Sequence, residues 1–289
     1  MDEIAAIDAH DDHCNDVAFT KDGETLVSAG MDNVVKLWSV GDWENRGTFV
    51  GHEKSVNSLS FFPDGNTLVT GSTDERMNFW SFPDGKLLES RPKSANNAQV
   101  SPNGKYIASA IRNKIRVWAS DSGKELFRVD DHGKKNHAIL FSTDSQTLFT
   151  GGLADHISLW SLPEGEHLGR LEGHKQVVMS LQFAGDGSDL ASTGYDGSLR
   201  LWYADDWTEV MSIPLEHRGG VLGLAIAPDN QTIAISDSHR ILLVSVDNRA
   251  IEEEIVVRPK GIYAIDFSPD GRWLANAAAD GRVRLWAIE

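Results

Sequence analysis

Histidine, a hydroxyl and an aspartate recur in this chain at constant offsets. His10 and Asp32, His52 and Asp74, and His174 and Asp196 are each 22 residues apart. Ser28, Thr70 or Ser192 lies four residues before the aspartate, and Trp38, Trp80 or Trp202 six after it. A His–Ser–Asp set is the equipment of nucleophilic catalysis, in which histidine takes the hydroxyl proton and the carboxylate orients the ring. Three near-identical copies in one chain are instead what structural repetition produces. A second candidate is the run His10-Asp-Asp-His-Cys14, whose side chains are all metal ligands. Strand alternation splits such a run between two faces, so no metal site is assigned. No Gly-x4-Gly-Lys-Ser/Thr phosphate loop, Cys-x-x-Cys-His haem site or Gly-x-Ser-x-Gly nucleophile turn occurs.

The elements that must position these residues repeat. Trp38, Trp80, Trp118, Trp160, Trp202 and Trp286 are separated by 42, 38, 42, 42 and 84 residues. A fixed period in this range marks a repeat architecture. A second frame covers the chain: Phe19, Phe61, Val100, Phe141, Phe183, Ile226 and Phe267 each precede a turn such as Pro63-Asp-Gly or Pro102-Asn-Gly. Asp-Gly and Asn-Gly supply the left-handed backbone of hairpin turns. Alternating or apolar runs such as Val56-Asn-Ser-Leu-Ser-Phe61 flank the turns and read as strands. Four strands fit into about 42 residues, leaving no room for a crossover helix. Seven small antiparallel sheets result, and stacking them in a ring buries their apolar faces. The last repeat stops after its third strand, at Trp286-Ala-Ile-Glu289, while a spare strand, Ile4–Ile7, precedes the first. Pairing the two closes the ring, so that all 289 residues form a single domain.

On these residues the chain resembles the WD40-repeat β-propeller family along essentially its whole length. The resemblance implies an all-β, seven-bladed propeller whose N-terminal strand completes the last blade. It also implies a buried network in each blade, carried here by His10, Ser28, Asp32 and Trp38; by His52, Thr70, Asp74 and Trp80; and by His174, Ser192, Asp196 and Trp202. Other repeats depart from the pattern. The third has Arg91 in place of histidine and Asn113 near the aspartate position; the fourth has Ala154 for aspartate beside Asp155. The sixth has His217, Ile235, His239 and Ser245, and the seventh Arg258 and Asn276 with Asp280 and Trp286. Blades 3 and 6 are therefore expected to be the least rigid. Hydrogen exchange should show their amides protected least, and uniform protection across the seven blades would contradict this.

The resemblance places three residues per blade on one rim of the ring: those three and five after the histidine and the one before the aspartate. Blades 1 to 3 then offer His13, Asn15, Met31, Ser55, Asn57, Thr73, Ser94, Asn96 and Arg112. Lys135, His137 and Leu153 follow from blade 4, and Val177, Met179, Tyr195, Leu222 and Tyr263 are prominent from blades 5 to 7. An apolar half beside a polar half suits a peptide or loop held by one or two large side chains. Arg112, Lys135 and His137 form a cationic arc able to receive a carboxylate.

Composition narrows the partner. Lys and Arg number 27 and Asp and Glu 43, a formal charge of −16, which opposes phosphate-backbone binding. No run of about 18 apolar residues spans a membrane. The acidic start is not a secretory signal, and the single cysteine excludes an intrachain disulfide framework. These features lead us to expect a cytoplasmic, non-catalytic protein- or peptide-binding scaffold without cofactor, monomeric by itself and acting within a complex. Two other readings are an enzyme or metal-dependent site in the central channel and a purely structural module contacting partners through its blade sides. Trp43 and Trp207, each five residues after a repeat tryptophan, fall on the opposite rim as contact points or packing plugs.

Overall fold

The computed structural model describes residues 2–111, 114–129, 136–215, 223–258 and 261–288, with 136 and 137 described by their backbone alone. The protein is a seven-bladed β-propeller built from seven four-stranded sheets, and the described residues contain no helix. Blades 1 to 6 span residues 14–50, 56–92, 97–129, 136–172, 178–214 and 223–256. Blade 7 takes three strands from 262–287 and its outermost strand, Glu3–Asp8, from the other end of the chain. That strand runs antiparallel to Arg282–Ala287, pairing Asp8 with Arg282 and Glu3 with Trp286. Arg282 donates from Nε to Asp8 at 2.7 Å, and the Ala9 and His10 amides donate to the Gly281 carbonyl at 3.1 and 2.8 Å.

Burial follows from stacking. The second and third strands of each blade carry apolar residues on both faces, as in Thr67–Ser72 and Arg76–Ser81, and so need a neighbour on each side. The buried apolar residues fall into seven clusters, each shared by two adjacent blades. At one interface Val27, Val35, Leu37 and Phe49 of blade 1 meet Val56, Leu68 and Trp80 of blade 2. Outer strands are polar or exposed, as in Asn45–Val50. Gly51 is required at the blade 1–2 connection, because a Cβ there would stand 2.8 Å from the Trp80 ring.

The innermost strands line the channel and are sheet edges, so alternate N–H groups need acceptors from outside their own sheet. The preceding blade supplies them from the same two positions. Asp16 accepts from the Leu59 amide and Ser58 from the Ala98 amide, at 2.8 and 2.9 Å. Two residues further along, Asp266 accepts from the Phe19 amide and Ser60 from the Val100 amide, at 2.8 and 2.9 Å.

Candidate functional site

The His–hydroxyl–Asp sets are continuous hydrogen-bond chains. In blade 2, His52 Nδ1 lies 2.9 Å from Asp74, His52 Nε2 2.7 Å from Thr70 Oγ1, and Trp80 Nε1 donates to the same hydroxyl at 2.9 Å. Blade 1 repeats this with His10–Asp32 and His10–Ser28 at 2.8 Å and Trp38–Ser28 at 3.0 Å. Blade 5 does so with His174–Asp196 at 3.0 Å and His174–Ser192 and Trp202–Ser192 at 2.8 Å. Burial lowers the pKa of His10 and His52 despite the adjacent carboxylates, so these rings are neutral at pH 7. Burial alone would raise the Asp74 carboxyl, but the Glu53 amide and His52 outweigh it and hold it below its usual value. Asp196 is lowered in the same way, against burial, by His174, the Lys175 amide and Ser198. A neutral histidine donating to aspartate from Nδ1 leaves Nε2 to accept the hydroxyl proton, and the hydroxyl oxygen accepts from the indole. Ser28, Thr70 and Ser192 are fully buried, so no substrate carbonyl reaches them and the sets brace the blades.

Incomplete repeats use substitutes. Trp118 donates to Ser109 at 2.8 Å and Trp160 to Thr150 at 2.9 Å. In blade 7 Trp286 donates to Asn276 at 2.8 Å. The buried Arg284 guanidinium grips Asp280 at 2.6 Å and the Arg258 carbonyl at 2.9 Å, a replacement for histidine that the spacing did not reveal. In blade 6 Val244, not Ser245, stands opposite Ile233, where other blades pair a leucine or isoleucine with tryptophan. One residue fewer in that hairpin shifts the position. Asp237 meanwhile binds the His239 and Arg240 amides and the Arg240 side chain at 2.8 to 2.9 Å.

The rim residues are set by backbone irregularity. In blades 1, 2, 4, 5 and 7 the innermost strand slips register across one residue: Asn15, Asn57, His137, Met179 and Tyr263. A β-bulge leaves the extra residue unpaired and re-aims its side chain. Asn15, Asn57, Met179 and Tyr263 accordingly line the channel mouth, around a cavity of about 340 Å³. The other two rim positions are tied together, the Thr73 amide donating to the Ser55 carbonyl at 3.0 Å and the Tyr195 amide to the Val177 carbonyl at 2.9 Å. Met31–His13 and Ala279–Gly261 repeat the bond at 2.8 and 2.7 Å.

The polar half is already engaged. Asn15 Nδ2 donates to Ser55 Oγ and the Val56 carbonyl at 2.8 Å, and Asn57 Nδ2 to the Asn96 carbonyl at 3.4 Å, an amide ladder across three blades. Opposite it Tyr195 is 43 % exposed, with Val177 and Met179 half-buried beside it. Tyr263 is also half-buried, its hydroxyl 3.4 Å from His13 Nδ1. Arg112, Lys135 and Leu222 lie outside the described residues, as does the side chain of His137. Of the channel carboxylates, Asp16 and Asp266 accept backbone amides, and no His–carboxylate cluster forms there among the described residues. On the opposite rim Trp43 packs edge-on against Trp273, ring centres 6.1 Å apart, and Trp207 against Phe149 at 4.9 Å; both are packing plugs.

The family model of the WD domain, G-beta repeat (WD40), matches residues 1–39, 43–81, 165–203 and 256–287, just over half of the chain. The chain belongs to the WD40 family. Three of the matches take the outer strand of one blade with the three inner strands of the next, so the WD40 sequence repeat is offset from the blade by one strand. The unmatched blades 3, 4 and 6 lack the complete His–hydroxyl–Asp–Trp chain among the described residues, whereas blade 7 is matched although Asn276 and Arg284 replace parts of it. Among curated WD40 relatives, the small ribosomal subunit protein RACK1 of Caenorhabditis elegans is 30% identical over 158 residues, 50% of this chain and 49% of that protein. Human WD repeat-containing protein 36 is 36% identical over 78 residues, 27% of this chain and 8% of that protein. The chain thus matches about half the length of the first and a small part of the second. No helix among the described residues is long and apolar enough to cross a membrane.

Proposed function

We propose that this WD40 propeller is a non-catalytic scaffold that captures a peptide or loop of a partner protein on the rim bearing the bulged residues. The observation that carries the reading is the asymmetry of that rim. One half is an internally bonded amide ladder, and the other presents Val177, Met179 and Tyr195 with Tyr263 at the channel mouth. Large apolar side chains held on a rigid frame, beside polar groups that need no rearrangement, are what an anchored segment requires. Leu222 belongs to the apolar set and Arg112, Lys135 and His137 to the cationic one by their positions in the repeat. The name of the RACK1 relative, a small ribosomal subunit protein, fits a life within an assembly.

Affinity capture from native lysate with mass spectrometry tests this reading. Replacing Met179, Tyr195 and Tyr263 together by alanine is expected to abolish partner capture while leaving the melting temperature within a few degrees of wild type. Partners retained at wild-type yield would sink the rim as the binding surface, and the blade sides would take its place.

A further inference from the structure

On the opposite face of the ring, a groove of about 860 Å³ runs across the turns of blades 1, 2 and 3. Phe61, Phe62 and Phe82 line it together with Pro63, Pro83 and Pro102. Phe62 is out of place by the logic of the repeat. At the same position blades 1, 3, 4 and 7 carry Thr20, Ser101, Ser142 and Ser268, and these hydroxyls lock their turns. Each donates to the Asp or Asn two residues on, at 2.6 to 2.8 Å, and accepts the amide five residues on, at 2.9 to 3.0 Å. Blade 2 gives up both bonds and holds a half-buried aromatic ring there. Asp64 keeps the Asn66 amide, at 2.9 Å, but loses the hydroxyl that its counterparts receive. The turn is weakened by the two lost bonds where the aromatic ring is gained.

Charge decides the occupant. Asp22, Glu24 and Asp64 border the groove against one base, Lys21, which forms no ion pair among the described residues. Aromatic and proline side chains receive the rings of an extended proline-rich segment, whose backbone stays solvated and so asks little of the groove. Carboxylates at the edge complement arginines flanking such a segment. We propose that this groove binds a proline-rich, arginine-flanked segment of a partner protein, on a face separate from the bulged rim and independent of its use.

Fluorescence anisotropy with a fluorescein-labelled peptide, Leu-Pro-Pro-Leu-Pro flanked by an arginine on each side, provides the test. The full chain should bind it saturably, and exchanging both arginines for glutamate should weaken binding at least about tenfold. Phe62→Ser restores the residue of blades 3, 4 and 7, so its turn should form well; it should weaken binding at least about tenfold. Asp64→Asn, which retains the oxygen facing the Asn66 amide, should weaken binding about threefold to fivefold, as should raising the salt concentration. Absence of saturable binding to the wild-type chain, equal affinity for the glutamate peptide, or undiminished binding by both Phe62→Ser and Asp64→Asn would overturn the proposal.

Discussion

Removing residues 1–8 is expected to lower the melting temperature by about 5–10 °C. The strand Glu3–Asp8 contributes little apolar burial, because most of its residues are exposed. Its value lies in the backbone ladder to Arg282–Ala287 and in the Arg282–Asp8 contact. Several hydrogen bonds at about 1 kcal/mol each give a loss on the order of 4 kcal/mol. A second effect comes from the edge that remains. Without Glu3–Asp8 the strand Arg282–Ala287 presents unpaired amides and carbonyls to solvent, a template for pairing with another chain. Scanning calorimetry and light scattering on the truncated protein measure both effects. An unchanged melting temperature would show that the blade does not need its fourth strand.

Replacing Asp16 and Asp266 by asparagine is expected to raise stability above neutral pH and to flatten its dependence on pH. Both carboxyls are half-buried on the innermost strands, and burial drives their pKa from 3.8 to about 7. Asp16 adds to the shift of Asp266 by its own charge. The sign follows from proton counting. Between about 4 and 7 the folded protein holds protons that the unfolded chain has released, so stability falls as pH rises through that window and levels off above it. Asparagine keeps an oxygen for the Leu59 or Phe19 amide and carries no charge. The double variant should therefore gain on the order of 2 kcal/mol at pH 8 and nothing at pH 4. Asp74, Asp237 and Asp280, whose carboxyls lie below their usual value, give the opposite slope at lower pH and are common to both proteins. Thermal melts from pH 4 to 8 separate the contributions, and parallel curves for variant and wild type would contradict the assignment.

The propeller was legible because each blade solves the same packing problem with the same residues. Trp38, Trp80 and Trp202 stand at one period since each indole must reach a hydroxyl two strand positions from the leucine it faces. Contacts between blades have no such period. Asp16 and Leu59, or Asp266 and Phe19, meet only because the ring brings neighbouring edges together, and either an aspartate or a serine serves as acceptor. The rim frame located Met179 and Tyr263, but neither residue type announces a bulge; that is a property of the ladder on both sides. Nor did the identities of Asn15, Ser55 and Asn57 show that they satisfy one another rather than a ligand. Phe62 stands beside a turn, and its meaning appears only against the hydroxyls that hold the turns of blades 1, 3, 4 and 7 closed.

The packing of Trp43 against Trp273 has an optical consequence. The two indoles meet nearly at right angles, 86° between planes, and they belong to blades 1 and 7, on either side of the place where the circle is completed without a covalent link. Two chromophores held close in a fixed chiral arrangement couple their electronic transitions, and that coupling vanishes once they turn freely. The paired circular-dichroism bands of this one couple therefore report on the joint itself, separately from the secondary-structure signal of the seven sheets.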